Sequence, residues 1–429
     1  MSGRPAAGAG ATAAPAPSAR YAWMVVALLW GVALLNYLDR QMLSTMKPAM
    51  QGDIRDLESA ANFGRLMAAF LWIYGLTSPI AGLVADRVSR KWLITASLVV
   101  WSAVTLGMGF ARDFETLYLL RAIMGVSEAL YIPAGLALIA DYHPGPTRSL
   151  AVGIHMTGLY AGQALGGFGA TIAQGISWQR TFQAFGLVGV LYGAVLAFGL
   201  REHPGARGPT GGPGRAGGAM GLRSVAESLS TLLGTVPFWA ILFCFMAPSF
   251  PGWATKNWLP TLFSQSLGLD MPRAGPVATI TIAASSFAGV VSGGLLADRW
   301  IARNLRGRIY TSAIGLGLTV PALGVMGLGA GAGAAIGGAI LFGVGFGMFD
   351  ANNMPILCQF VSRRHRAAGY GLLNMAGVFA GAQVTRLLGA STDAGRLGRD
   401  FAFLAVPVAI ALVLQLAVLR PRTADRDED

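Results

Sequence analysis

Apolar residues run for about twenty positions at a time along this chain, and the stretches between the runs hold most of its charge. That is the length a helix needs to cross the hydrocarbon core of a bilayer. Six such spans are predicted over residues 21–46, 62–84, 92–111, 115–141, 148–172 and 180–200. Six more follow over 237–266, 274–298, 309–329, 332–358, 367–391 and 400–419. The reading is an all-α membrane protein of twelve transmembrane helices.

The segments outside the spans complete the picture. Residues 1–20 are rich in Ala, Gly and Pro without the apolar core of a secretory signal, so a disordered tail is expected there and the first span is retained. Arg201–Gly221 (REHPGARGPTGGPGRAGGAMG) has no hydrophobic period and reads as a linker, and Leu222–Leu233 reads as a short amphipathic helix on the membrane surface. The decapeptides GLVADRVSRK (82–91) and GLLADRWIAR (294–303) recur after the second span of each half, as a duplicated six-helix unit requires. The expected organisation is therefore a tail (1–20), a six-helix bundle (21–200), a linker (201–236), a second six-helix bundle (237–419) and a tail (420–429).

Composition agrees with a membrane chain. Hydrophobic residues make up 54% and charged residues 12%, about half the charged share of a soluble domain. The net charge of +12 is the kind that suggests nucleic acid, but its source is asymmetric. With the N-terminus in the cytoplasm, twenty of the 32 Lys and Arg fall on that side and eight on the other. That bias puts both termini in the cytoplasm and makes lipid, not nucleic acid, the partner. Cys244 and Cys358 both lie in apolar runs and are expected to be free thiols. No metal cluster, nucleophile motif or nucleotide-binding loop is present, so no cofactor and no enzyme chemistry are expected, and transport energy would have to come from a gradient.

The remaining charges are the informative ones. Asn36-Tyr37-Leu38-Asp39-Arg40 closes the charge-free run Tyr21–Leu38, and the apolar pattern continues through Met42, Leu43 and Met46. Asp39 and Arg40 are thus inside the first span, and Arg121 and Glu128 are inside the fourth. Charges at that depth cost several kcal/mol and are kept where they face a polar cavity and perform a task. The competing reading is that Asp39 and Arg40 only mark where the helix leaves the bilayer. Neighbours on a helix point about 100° apart, so Asp39 and Arg40 need separate partners. Arg121 and Glu128 share a face but stand about 10 Å apart along the axis. Counted from the outer ends of their spans, Asp39 and Arg121 come to similar depth, which predicts a contact between them. Polar candidates for the same cavity are Tyr37, Tyr74, Tyr160 and Gln163 in the first half, with Asn352, Asn353 and Asn374 in the second as donors to a polyol. His155 is a further candidate for the proton path, with helix packing as the competing and favoured role. The stripes Gly158, Gly162, Gly166 and Gly343, Gly347 permit close helix contact, either within a half or as a sliding seam between halves.

The pattern G-x-x-x-D-R-x-x-R-K at Gly82, Asp86, Arg87, Arg90 and Lys91, repeated weakly at Gly294, Asp298 and Arg299, resembles the gating loop of the major facilitator superfamily. Within that superfamily, N-Y-L-D-R, Arg121-x-x-x-Gly125-x-x-Glu128 and Asn257-Trp258-Leu259-Pro260 look like the anion:cation symporter family. Its members include bacterial carriers of hexuronates and galactonate and relatives of vesicular glutamate and sialic acid transporters. The resemblance implies a monomeric carrier in a bacterial inner membrane that moves a small organic anion with protons. It implies that Arg40 binds the solute carboxylate, that Glu128 couples the proton with Asp39 as a second acid, and that Tyr74 and Gln163 contact solute. Lys256 in the seventh span departs from the pattern. A second cation there suits a dianion and is similar to organophosphate:phosphate antiporters, unless Lys256 reaches out to the interface or pairs with Asp350.

Overall fold

The structure, a computed structural model, describes residues 18–85, 88–144, 147–203, 222–362 and 364–425. Asp86, Arg87, residues 1–17 and 426–429 of the expected tails, and residues 204–221 of the expected linker lie outside the described residues. No strand occurs among those described.

Each helix begins where its sequence supplies a cap or a break. Ser18 accepts from Tyr21 N at 3.3 Å and starts α1 (Ala19–Met50). Next come α2 (Ala60–Ala85) and α3 (Arg90–Met108), the latter capped by Ser89. Asp113 accepts from Thr116 N at 2.7 Å and starts α4 (Phe114–Ala129). The span does not continue straight, because Pro133 has no N–H for the carbonyl of Ala129 and the chain breaks at Leu130 before α5 (Tyr131–Tyr142). The fifth span is likewise divided, into α6 (Arg148–Gly166) and α7 (Gly169–Ile176), and α8 (Trp178–Gly199) ends the first half.

The amphipathic segment forms α9 (Leu222–Leu233), which docks on the second half through Leu232 and a Glu227–Arg364 ion pair of 3.1 Å. Then follow α10 (Val236–Leu267), ended by Gly268 at φ 63°, α11 (Met271–Ile301) and α12 (Gly307–Leu328). The tenth span breaks at Ala351–Asn352 into α13 (Gly331–Asp350) and α14 (Asn353–Phe360), with Pro355 as the matching cause. The chain closes with α15 (Arg366–Asp393), α16 (Leu397–Phe403) and α17 (Ala405–Val418). Nine helical segments among the described residues are long and apolar enough to cross a membrane. The other three expected spans are also helical. One is α2, whose side chains at 82 and 83 are not described, and the others are α6–α7 and α15, which carry more glycine and polar residues.

Helices α1 and α3–α8 pack mainly with one another, as do α10–α14, α16 and α17, whereas α2 packs most heavily on α15 across the halves. The glycine stripes work inside the halves. A Cβ on Gly158 would meet Trp30 O at 2.7 Å on α1, and a Cβ on Gly347 would fall 2.7 Å from Val290 N on α11. The halves meet along α2–α15, α6–α11 and α1–α10. On the face away from the chain termini this seam is tight. Thr279 donates to Ala164 O at 2.9 Å, Thr171 to Pro272 O at 2.7 Å, and Gln41 to Lys256 O at 2.7 Å. Toward the termini face Leu76 and Ile80 on α2 and Tyr370 on α15 are exposed.

The tight end carries a charged clasp. Asp393, the last residue of α15, accepts from Ala60 N at 2.7 Å, Ala61 N at 2.9 Å and Ser59 Oγ at 2.8 Å. It therefore caps the N-terminus of α2 across the seam, where anions are favoured. Partial burial pushes this carboxyl up, but the Ala61 and Ala60 N–H groups and the Ser59 hydroxyl outweigh it and hold it below the usual carboxylate range. The clasp is thus fully charged above that range and is lost only as pH on its own face falls through the depressed value. Asp393→Ala is expected to cost the closed far face about 1 kcal/mol, raising its open population about fivefold. Spin labels at Asp56 and Arg396 report this as a larger long-distance fraction. An unchanged distance distribution would show that the cap does not hold the seam.

Candidate functional site

The charged side chains of the first half converge between α1, α2, α3 and α4. Arg40 projects from α1 toward α4, where its Nε donates to Glu128 Oε2. Asn36, one turn earlier on the same face, donates to the same oxygen at 3.0 Å. The Glu128 side chain is fully buried and that of Arg40 is 11% exposed, so the pair sits where charge is screened least. Three rings enclose the guanidinium, with centroids 4.7 Å (Phe70), 4.8 Å (Tyr74) and 5.2 Å (Tyr37) from Cζ. Arg40 Nη2 and Glu128 Oε1 are left without a hydrogen-bond partner.

This approach is possible because of one glycine. A Cβ on Gly125 would fall 2.7 Å from Phe70 O and 3.0 Å from Tyr74 N, so α4 seats directly on the α2 backbone. Glu128 is one turn further along α4 and is carried to Arg40 by that seating.

The expected contact between Asp39 and Arg121 does not form. No direct ion pair joins them among the described residues. Asp39 turns to α3 and accepts a long hydrogen bond of 3.4 Å from Thr105, while its Oδ1 has no partner. Arg121 lies over the far side of the Phe70 neighbourhood, 4.8 Å from that ring, and its Nη1 approaches Met124 Sδ at 3.1 Å. Phe70 thus stands against both guanidinium groups and keeps them apart.

Lys256 does not reach the interface. Its ammonium sits 4.7 Å from the Trp253 ring and 5.6 Å from the Tyr37 ring. Tyr37 is therefore shared by a cation from each half. Among the other candidates, Gln163 is buried, Tyr160 packs edge-on against Phe287 at 5.9 Å, and Asn374 is half-buried. Asn353 donates to Asp350 Oδ1 at 3.1 Å. Asn352 is buried and donates to Met348 O at 2.8 Å, bracing the α13–α14 break. His155 is buried between α1 and α5, edge-on to Tyr131.

The gating motif is half visible. Arg90 forms an ion pair with Asp141, and Glu202 accepts from Lys91 N at 3.2 Å and Arg90 N at 3.3 Å, which ties α3 to the ends of α5 and α8. Gly82 lies in α2 and Gly294 in α11, while Asp298 and Arg299 are exposed. Asn36, Phe70, Thr105 and Asp393 are additions that the sequence reading did not assign. Of these only Asn36 had a signal, its four-residue spacing from Arg40.

Two bundles of membrane-crossing helices meeting around interior charges define a transporter. The chain belongs to the Major Facilitator Superfamily, whose family model matches residues 29–384. It is 23% identical over 314 residues to a Bacillus subtilis protein described as uncharacterized transporter YybO, covering 69% of this chain and 70% of that one. It is 25% identical over 297 residues to the chloroplastic ascorbate transporter of Arabidopsis thaliana, covering 66% of this chain and about half, 53%, of the plant protein. A crystal structure of a bacterial homologue of the human lysosomal transporter spinster, in an inward-facing and unoccupied conformation, superposes with a TM-score of 0.77. It is 19% identical and covers 93% of this chain and 97% of its own.

The geometry makes a stability claim. Removing one partner of a buried pair strands the other, at about 3–5 kcal/mol. Glu128→Ala is expected to lower the unfolding temperature of the purified protein markedly, and Arg40→Met in the same chain is expected to recover most of the loss. Additive losses in the double variant would show that the two side chains do not depend on each other.

Proposed function

We propose that this protein is a proton-coupled symporter of a small organic anion, working by alternating access. The observation that carries the reading is the Arg40–Glu128 ion pair. Arg40 is the residue type whose planar fork matches a carboxylate, and here an internal carboxylate already occupies it. A solute carboxylate takes Arg40 only when Glu128 releases it, and a protonated Glu128 has no charge with which to hold on. Anion and proton therefore bind together and leave together. Asp39 is the second acid of the relay, with Arg121 as its nearest counter-charge.

Tyr37, Tyr74, Tyr160, Gln163, Asn353 and Asn374 supply hydroxyl and amide groups for the rest of the solute. That lining suits a hydroxylated acid of the sugar-acid type, and the ascorbate-carrying relative supports the same class. The twenty-to-eight bias of basic residues supports an orientation with both termini in the cytoplasm, and a bacterial inner membrane is the location we propose. On that orientation the face with the exposed Leu76, Ile80 and Tyr370 is cytoplasmic and the Asp393 clasp closes the outer face.

A second reading, exchange of an organic anion or organophosphate for phosphate on the same fold, is favoured by one observation: Lys256 and Arg40 flank the same Tyr37 ring. Proton dependence separates the two. In liposomes offered a panel of labelled hexonates and hexuronates, Glu128→Gln is expected to retain counterflow and to lose accumulation driven by an acid-outside gradient. Retained pH-driven accumulation would remove Glu128 from the coupling path and leave exchange as the better account. Arg40→Lys keeps the charge but not the fork, and is expected to weaken binding by about 2–5 kcal/mol in the same assay.

A further inference from the structure

The first half pairs a cation on its first helix with an acid on its fourth, and the second half carries the same two residue types in the same places. Arg40 is the 22nd residue of the 32-residue α1, and Lys256 is the 21st residue of the 32-residue α10. Glu128 lies five residues before Pro133, which breaks the fourth span; Asp350 lies five residues before Pro355, which breaks the tenth. The shared pattern is acid-Ala-x-x-x-Pro, as Glu128-Ala129-Leu130-Tyr131-Ile132-Pro133 and Asp350-Ala351-Asn352-Asn353-Met354-Pro355.

Asp350 is also placed to act. It is exposed although it ends α13 ten residues short of the Phe360 end of its span, so its carboxylate is accessible within the span. The cation that acts on it electrostatically is Lys256, and the phenols of Tyr160 and Tyr370 face its charge from α6 and α15. Asn353 fixes its orientation through the 3.1 Å hydrogen bond. In the present state Lys256 leans toward Tyr37 instead, and no direct ion pair joins it to Asp350 among the described residues.

We propose that Asp350 is the counter-charge of Lys256 and that it sets the solute's charge at one. The reading rests on the anion-carrier assignment above. Among the described residues, six charged side chains within the spans and away from their ends lie at the site or packed beside it: Arg40, Arg121 and Lys256 against Asp39, Glu128 and Asp350. A seventh, Arg386 on α15, is exposed next to the exposed Leu387 and is not counted with them. The six sum to zero. An uncompensated charge carried through the low-dielectric interior is costly, so a carrier that reorients empty is best neutral. A monoanion entering with one proton keeps that neutrality, and a dianion with one proton does not. Lys256 without Asp350 would make the site a dianion receptor, and Asp350 cancels it.

Two measurements test this on the purified full chain. The first needs no solute. Unfolding temperatures of the native protein, Asp350→Asn, Lys256→Gln and the double variant form a cycle, and the double variant is expected to be more stable than the summed single losses. Additive losses overturn the pairing. The second compares thermal stabilisation by matched acids, gluconate with glucarate and butyrate with succinate. The native carrier is expected to favour the monoanion, and Asp350→Asn to shift the ratio about tenfold toward the dianion. A native preference for the dianion, or an unchanged ratio in Asp350→Asn, overturns the valence role. If no acid stabilises the native protein, the anion-carrier reading fails, and the solute-free cycle alone decides the fate of the pair.

Discussion

The buried ion pair between Arg40 and Glu128 is the constraint around which the first half is built. Two charges withdrawn from water are held only if each satisfies the other, and breaking such a pair costs more than forming it returns. Asn36 supplies a second donor to the carboxylate, and the rings of Phe70, Tyr74 and Tyr37 replace water around the guanidinium. The pair still leaves one donor and one acceptor unused, so it is stable enough to persist and incomplete enough to exchange. That balance is what a coupled carrier requires of an internal carboxylate that competes with its solute.

Backbone features bring the two residues together. Gly125 removes the side chain that would hold α4 off α2, and Pro133 ends the helix immediately beyond Glu128, which frees α5 to take a separate path. Gly158, Gly162 and Gly166 seat α6 on the α1 backbone and so fix the helix that carries Arg40. The seam between the halves is closed at its far end by the tight packing of α2 on α15, where Asp393 caps α2 and glycines bring the backbones together. Two bundles that meet along a few helix pairs, with a charged cap at one end, are suited to rocking.

Much of this was legible from the residues. Runs of apolar positions gave the helices, and the interior acids and bases marked the site. Pairing was not legible, for a geometric reason. Depths were counted from expected span ends, and α1 continues to Met50, four residues beyond the expected end. Asp39 turns instead to Thr105 on α3, while the long side chain of Arg40 reaches Glu128. Lys256 was ambiguous because a lysine stem can reach either way, and only the positions of Trp253 and Tyr37 decide it. Asn352 bonds back to Met348 O, because a polar residue at a helix break serves the freed backbone. The clasp at Asp393 joins residues more than 330 positions apart, beyond the reach of any local pattern.

The central claim is that a solute carboxylate and Glu128 compete for Arg40, with a proton deciding the outcome. Infrared difference spectroscopy of the carrier in lipid, recorded on adding a bound monocarboxylate, observes this directly. The account predicts a protonated-carboxyl band that grows on binding, with proton uptake from the medium, and that is absent in Glu128→Gln. Binding that leaves Glu128 ionised, with no such band and no proton uptake, would contradict it.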